Sequence, residues 1–344
     1  MTDQGGRLFC GKVCSLIVAV AWLIVISALH AYFNRDEGPS QKIIVGYMPV
    51  ISNLAAPLVD FASKDSPVYF QALKFSSFAE MAEAFRTGHI QAAFLIAPLA
   101  IIMYQQGTPL KLVYIGNRNE STLVVRHDLP CRNLLDLVGK TVAVPIRYSG
   151  HNLALKRSLR EHGLGPTAIR TVEIAPPDMA SALATGGIDG YFVGEPFAGK
   201  AILEGVGRRL LDVEEIWPDF ICNVLIVRDE LIRSHPERVQ ALVTSSILAC
   251  LYAQQHLDET TQLVCSYWGQ SREVVSFAFS LGRFRYDLYV PELGEMEKMA
   301  AEMQHEGLIQ GPIDLRGMVE PRFARSAALR PPANSLRDIA MVEH

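Results

Sequence analysis

Apolar and polar positions along this chain alternate between two kinds of block. Short unbroken apolar runs such as Ile43-Ile44-Val45 and Ala92-Ala93-Phe94-Leu95-Ile96 read as buried strands, while stretches such as Phe78–Arg86 repeat apolar residues at helical spacing. A first series predicts strand Ile43–Tyr47, helix 53–63, strand 69–75, helix Phe78–Arg86 and strand Ala92–Ile96, with Thr87-Gly88 as the helix stop. A second predicts strand Thr141–Val144, helix 152–162, strand 169–174, helix 179–184 and strand 191–193, with Gly186-Gly187 as the stop. Such alternation predicts an α/β fold, an open sheet with helices on both faces and ligands beyond the carboxyl ends of the strands. Two similar strands, Ser121–Arg126 and Asn223–Arg228, flank the second series and read as crossovers. Helices Pro236–Gln255, Leu257–Trp268 and 292–307 follow, and the residues after Phe323, with Pro331-Pro332, read as a loose tail.

The two series are a repeat. Met81-Ala82-x-Ala84-x-x-Thr87-Gly88-x-Ile90-x-x-x-Phe94-x-x-x-Pro98 recurs 98 residues later as Met179-Ala180-x-Ala182-x-x-Thr185-Gly186-x-Ile188-x-x-x-Phe192-x-x-x-Pro196. Two similar lobes side by side predict a cleft between them as the working surface.

The length of 344 residues suits about two domains, and the net charge of −4, without a basic stripe, argues against a nucleic-acid partner. At the N-terminus, Arg7 and Lys12 precede an uncharged run from Ser15 to Leu29, followed by polar Asn34-Arg35-Asp36. The run fits an export signal with Leu29-His30-Ala31 as cleavage site, and from 13 to 33 it is also long enough for an uncleaved membrane anchor. In either case the body of the protein lies outside the cytoplasmic membrane. Outside the leader stand Cys131, Cys222, Cys250 and Cys265, with no zinc spacing. Cys250 and Cys265 either meet across a helical hairpin as a disulfide or remain buried thiols.

Behind the leader, Gly46-Tyr47-Met48-Pro49, Gly88-x-Ile90-x-Ala92-Ala93-Phe94, Leu137-Val138-Gly139-Lys140-Thr141-Val142-Ala143-Val144 and Gly190-Tyr191-Phe192-Val193-Gly194-Glu195-Pro196-Phe197 appear in this order. Over roughly residues 42 to 325 the chain resembles the nitrate/sulfonate/taurine (bicarbonate) class of ABC-transporter substrate-binding proteins. The resemblance implies a type II periplasmic binding protein fold, whose two lobes close on a small-molecule solute and deliver it, as a monomer, to an ABC permease and its ATPase. It implies no cofactor. The expected organisation is a leader or anchor over 1–33, a first lobe of 41–119 plus 224–325, a second lobe of 120–223, and a loose tail over 326–344.

The cleft-facing loops follow from this arrangement. Arg147, Tyr148, Ser149, Gly150, His151 and Asn152 connect a strand to a helix start, where Ser149 or Asn152 caps and free N–H groups point at any solute. The bland alternative is a turn with a solvated Arg147. Opposite lies the equivalent loop of the first lobe, with Met48, Pro49 and Asn53. Ala97-Pro98 and Glu195-Pro196 follow the last strands of the two repeats. Glu195 binds an amine or hydroxyl, coordinates a cation or holds Arg147, unless it is a hinge or interlobe salt bridge. Asn117, Arg118, Asn119 and Ser121 precede the first crossover as further candidates for ligand contact, or as ordinary loop residues. Tyr47, Tyr148, Phe197 and Phe220 either stack on a planar ligand or pack in the core.

Enzyme motifs are missing from the sequence: no Gly-x-Ser-x-Gly, His-Glu-x-x-His, phosphate loop or dinucleotide fingerprint. A related family uses this fold to make thiamine pyrimidine, but with a cysteine-rich motif that this chain lacks. Two alternatives to a transport receptor therefore stand, a membrane-anchored solute sensor and, behind it, a pyrimidine-synthase-like enzyme. Among nitrate, bicarbonate, sulfonates, taurine and pyrimidines the sequence makes no choice, although opposite charges at Arg147 and Glu195 point to a zwitterion or an anion with a cation.

Overall fold

The computed structural model describes residues 18, 20–27, 42–327 and 333–339. Residues up to Lys42 form one unit and those from Ile43 another. In the first, residues 20–27 are helical, with Val20, Trp22, Leu23, Ile24, Val25 and Ile26 between 48% and 64% exposed. Among the described residues no helix is long and apolar enough to cross a membrane. The expected cleavage site and the rest of the leader lie outside the described residues.

The second unit is built on two five-stranded sheets. Its strands are β1 (Ile43–Tyr47), β2 (Phe70–Lys74), β3 (Ala92–Ile96), β4 (Leu110–Ile115), β5 (Arg118–Asn119), β6 (Ser121–Arg126), β7 (Thr141–Val144), β8 (Arg170–Glu173), β9 (Gly190–Gly194), β10 (Gly207–Asp212), β11 (Asn223–Arg228) and β12 (Phe284–Arg285). The first sheet has the order β2-β1-β3-β11-β4 and the second β10-β6-β9-β7-β8. In each, three strands of one repeat run parallel and a crossover strand lies antiparallel to the third, β11 along β3 and β6 along β9. All five residues of β3 and of β9 are buried, as a central strand covered on both faces requires.

The helices are α1 (Ala55–Ser63), α2 (Phe78–Arg86), α3 (Ala97–Gln105), α4 (Gly150–Glu161), α5 (Pro176–Ala184), α6 (Phe197–Leu203), α7 (Val213–Ile216), α8 (Asp229–Ser234), α9 (Pro236–Gln255), α10 (Leu257–Trp268), α11 (Arg272–Ser280), α12 (Leu293–His305) and α13 (Arg322–Ala327). The expected repeat helices α2 and α5 end at Gly88 and Gly186, whose φ angles of 83° and 76° favour glycine. Helix α3 escapes sequence reading because Ala97 through Met103 are all buried, so no polar face marks its period. One apolar cluster joins both lobes, from Met48, Met81 and Ile96 to Met179, Tyr191 and Phe197.

The chain end departs from the expected loose tail. Phe323, Ala324 and Ala327 of α13, and Leu336 and Ile339 beyond it, are buried. Gln240 of α9 donates to the Phe323 carbonyl and Ser245 to that of Ile339, both at 3.0 Å. The apolar spacing of these residues lets them cover α9, which a tail judged by its prolines alone does not reveal. Cys250 and Cys265 are free thiols; Cys250 is buried with the Tyr114 hydroxyl 3.6 Å from its sulfur, while Cys265 is only half-buried.

Candidate functional site

The carboxyl ends of β1 and β7 and the two crossovers meet between the sheets. The loop after each first strand is braced in the same way. Asn53 Nδ2 donates to the Met48 carbonyl at 3.1 Å, and Asn152 Nδ2 to the Arg147 carbonyl at 2.7 Å. In the second lobe Ser149 is the helix cap, its hydroxyl accepting from the Asn152 N–H at 3.2 Å. In the first lobe no side chain caps the equivalent turn, Ile51–Asn53. Gly116 lets that turn approach, since a Cβ there would stand 2.1 Å from the Ser52 carbonyl oxygen.

These loops are closed on each other. The Ile51 N–H donates to the Glu195 carbonyl at 2.9 Å. Asn223, at the start of β11, donates to Ser52 at 3.0 Å and to Asn53 at 2.7 Å. On the second lobe, His151 Nε2 lies 2.9 Å from the Ser121 hydroxyl, with its ring against Phe192 and Phe220. The Glu195 N–H donates to Glu120 Oε2 at 2.9 Å, and the Glu195 carboxylate accepts from the Gly199 N–H at 2.8 Å. Arg283, after α11, reaches Asp212 at 2.6 Å, Glu214 at 2.9 Å, the Thr122 hydroxyl at 2.7 Å and the Ser121 carbonyl at 2.9 Å.

The crossovers are conformationally costly. Asn119 and Glu120 have φ of 66° and 65°, and Asp219 of 54°, in the left-handed region that residues with a Cβ avoid. Each such residue costs on the order of 1–3 kcal/mol and persists where its surroundings hold it. Here Arg118 does so, its guanidinium bonding the Asp219 and Leu288 carbonyls at 3.1 and 3.0 Å and Glu295 of α12 at 2.9 Å.

Burial sets the charge states. Glu120 is pushed up to about 8 by burial and then by the charge of Glu195, against the pull of Ser52 and Cys222 beside it. Glu195 rises to about 7, again by burial, with the Gly199 N–H and Arg283 opposing. Burial lowers His151 to about 3, which keeps its ring neutral, and holds the Cys222 thiol well above its ordinary range. His151 Nδ1 is buried without a hydrogen-bond partner.

Of the sequence candidates, Met48, Pro49, Asn53, Ser121, Ser149, Gly150, His151, Asn152, Glu195 and Pro196 are buried in or beside this closed region. Pro98 is buried in the first turn of α3, and Asn117 is buried with its side chain accepting from the Arg285 N–H at 2.7 Å. Arg147 is exposed, its guanidinium 4.5 Å above the ring of half-buried Tyr148. Its side chain is therefore not held by Glu195, whose carboxylate instead stands near Gly199 and Thr122. Glu120, Ser52, Asn223 and Arg283 were not foreseen. The likeness of the two crossover strands aligns Asn223 with Ser121 and was a usable signal; nothing in the local sequence marks Glu120 or Arg283.

A model of the NMT1-like family matches residues 36–267. The taurine-binding periplasmic protein of Escherichia coli (strain K12) is 31% identical over 190 residues, 54% of this chain and 58% of that protein, so the chain matches just over half the length of this relative. A zinc-bound ligand-binding component of an ABC-type import system from Staphylococcus aureus superposes with a TM-score of 0.75 at 23% identity, covering 83% of this chain and 99% of the other. The periplasmic nitrate-binding protein NrtA from Synechocystis PCC 6803 gives a TM-score of 0.73 at 17% identity, covering 84% and 88%. The 2'-hydroxybiphenyl-2-sulfinate desulfinase of Rhodococcus erythropolis is 29% identical over 158 residues, 44% of this chain and 42% of the enzyme. The architecture is that of periplasmic binding proteins, two five-stranded mixed sheets flanked by helices.

Proposed function

The chain belongs to the NMT1-like family, and on that footing we propose that it is the extracytoplasmic solute-binding component of an ABC importer. It captures a small polar solute by closure of its lobes and delivers it, as a monomer, to a permease and its ATPase. The observation that carries this reading is the buried polar region between the lobes, built from Ser52, Asn53 and Asn223 on one side and Glu120, Ser121, His151 and Glu195 on the other. A region of that kind has a function in a receptor that opens and closes, because its polar groups exchange water or solute for one another. Relatives named as taurine-binding, nitrate-binding and aliphatic sulfonate-binding support the importer role. The N-terminal apolar run supports export, and the exposed apolar side chains of residues 20–27 support retention at the membrane surface.

The function is binding without chemistry. Ser121 and His151 stand 2.9 Å apart, the spacing of a nucleophile and its base. Yet the other nitrogen of His151 has no orienting acid, and a ring held neutral down to about pH 3 is a weak base.

A thermal-shift screen of the protein from Asn34 onward tests the reading, with nitrate, nitrite, bicarbonate, aliphatic sulfonates, taurine and aminopyrimidines. A solute at about 100 times its Kd stabilises the fold by roughly 2.7 kcal/mol. A shift with one class supports the receptor; a folded protein indifferent to all of them contradicts it.

A further inference from the structure

We propose that Arg160, clasped by Glu302 and Glu306, is a positioning residue for solute capture: it holds the second lobe against helix α12 of the first and so favours the closed form before any solute arrives. The inference rests on the lobe closure proposed above and adds to it a part of the chain that lies outside the cleft.

Helix α12 is rooted in the first lobe at both ends. Before it, the Ile115 N–H of β4 donates to the Tyr289 carbonyl at 2.9 Å. After it, the Leu112 N–H donates to the Met318 carbonyl at 2.8 Å and the Glu320 N–H to the Leu112 carbonyl at 2.9 Å, while Gln105 of α3 donates to the Gln310 carbonyl at 2.9 Å. Met296, Met299 and Met303 bury its inner face. Its last turn nevertheless reaches the other lobe. Arg160, near the end of α4, stands 2.5 Å from Glu302 and also pairs with Glu306, and His305 Nδ1 lies 3.4 Å away. These polar partners of Arg160 all come from the end of α12.

Two features set this contact apart from an ordinary surface ion pair, which contributes little. The Glu306 side chain is only 6% exposed, and those of Arg160 and Glu302 are 30% and 27% exposed, so water reaches the charges in part only. One arginine also serves two acids, so that removing it leaves two carboxylates side by side.

The contact stands away from the pivot. His151, in the first turn of α4, lies 2.9 Å from Ser121 of the first crossover. Arg160 is nine residues further along the same helix, about 14 Å at the helical rise. Rotation about the crossovers moves groups apart in proportion to their distance from them, so opening breaks the Arg160 contact first, while the bonds of Arg118 and Arg283 beside the crossovers can persist. Because α4 carries His151 and Asn152 at its start, what holds its far end also sets where those cleft residues stand. Closure that the latch supplies need not come from the solute, and apparent affinity scales with the closed fraction.

Pulsed electron resonance on the solute-free protein tests this, with the leader removed, Cys265→Ser, and spin labels at Thr87→Cys in the first repeat and Thr185→Cys in the second. The free protein is expected to sample a range of separations that includes the one in this structure. Arg160→Met, which keeps an apolar stem, should lower the ratio of closed to open forms at least roughly fivefold, equivalent to about 1 kcal/mol. Arg160→Glu, repelled by both acids, should lower it further, whereas a role in packing alone would be kept by methionine. Glu302→Gln combined with Glu306→Gln makes the same cut from the other side and decides the matter should the Arg160 variants fail to fold. If the folded variants and the wild type share one broad distribution, the latch is overturned and closure by solute alone stands. If they share one narrow distribution at the separation of this structure, the lobes do not open, and the latch and the closure reading fall together.

Discussion

The main-chain N–H of Ile51 donates to the carbonyl of Glu195 at 2.9 Å, which ties the cleft-facing loop of the first lobe to that of the second. Because this bond is made by backbone, it survives a change of the Glu195 side chain. Glu195→Gln is therefore expected to fold with stability within about 1 kcal/mol of wild type while weakening solute binding. Urea unfolding beside calorimetric titration checks both halves, and unchanged affinity removes Glu195 from the site.

Arg283 is the side chain that binds the segment after α11 to the second lobe. Replacing it by Gln removes the ion pair to largely buried Asp212 at 2.6 Å and leaves that carboxylate with Arg209 at 2.8 Å as its remaining cation. Loss of one of two such partners costs about 1–2 kcal/mol. The urea midpoint should fall accordingly, and an unaltered midpoint would show that Asp212 finds another partner or water.

Gly116→Ala places a Cβ 2.1 Å from a main-chain oxygen, that of Ser52, which has no rotamer by which to retreat. The turn Ile51–Asn53 must shift, at a cost of about 1–3 kcal/mol. Alanine at exposed Gly139 serves as no control, since its φ is 78°; Arg147→Ala does, and is expected to change stability by no more than about 0.5 kcal/mol.

The buried acids predict a pH trend. A glutamate ordinarily ionises near 4.5, so between there and about 8 the folded protein keeps a proton on Glu120 that the unfolded chain has lost, and stability falls as pH rises through that window. Glu195 adds the same trend up to about 7. His151 acts oppositely: below its ordinary 6.5 the unfolded chain gains a proton that the buried ring refuses down to about 3, so stability falls as pH drops there. Between pH 6.5 and 8 only the acids of this trio act, and the urea midpoint should decline. Glu120→Gln should flatten that decline; an equal slope in the variant would assign it elsewhere.

The repeat made the architecture legible before any coordinates. Strands β1, β3, β6 and β11 and helices α2, α9 and α10 have the bounds that the apolar pattern predicts, because each carries a clear period or a clear stop. Helix α3 was hidden by being apolar on every side, and β10 by the polar Arg208-Arg209 of an edge strand. The loops at Ser149 and Glu195 were legible from strand ends and helix starts. Glu120 and Arg283 were not, since their importance comes from contacts across 75 and 161 residues of chain. The side-chain direction of Arg147 was likewise beyond sequence, for a loop arginine beside a tyrosine can face the cleft or stack outward.

Closure of the two lobes on a solute is the central claim, and a distance between the lobes tests it most directly. Thr87 and Thr185 occupy equivalent exposed places in the two repeats. With Cys265 replaced by Ser and the leader removed, spin labels at Thr87→Cys and Thr185→Cys report that distance by pulsed electron resonance. The account predicts a broad distribution in the free protein that narrows and shifts when a stabilising solute is added. A solute that binds and leaves the distribution unchanged would contradict it.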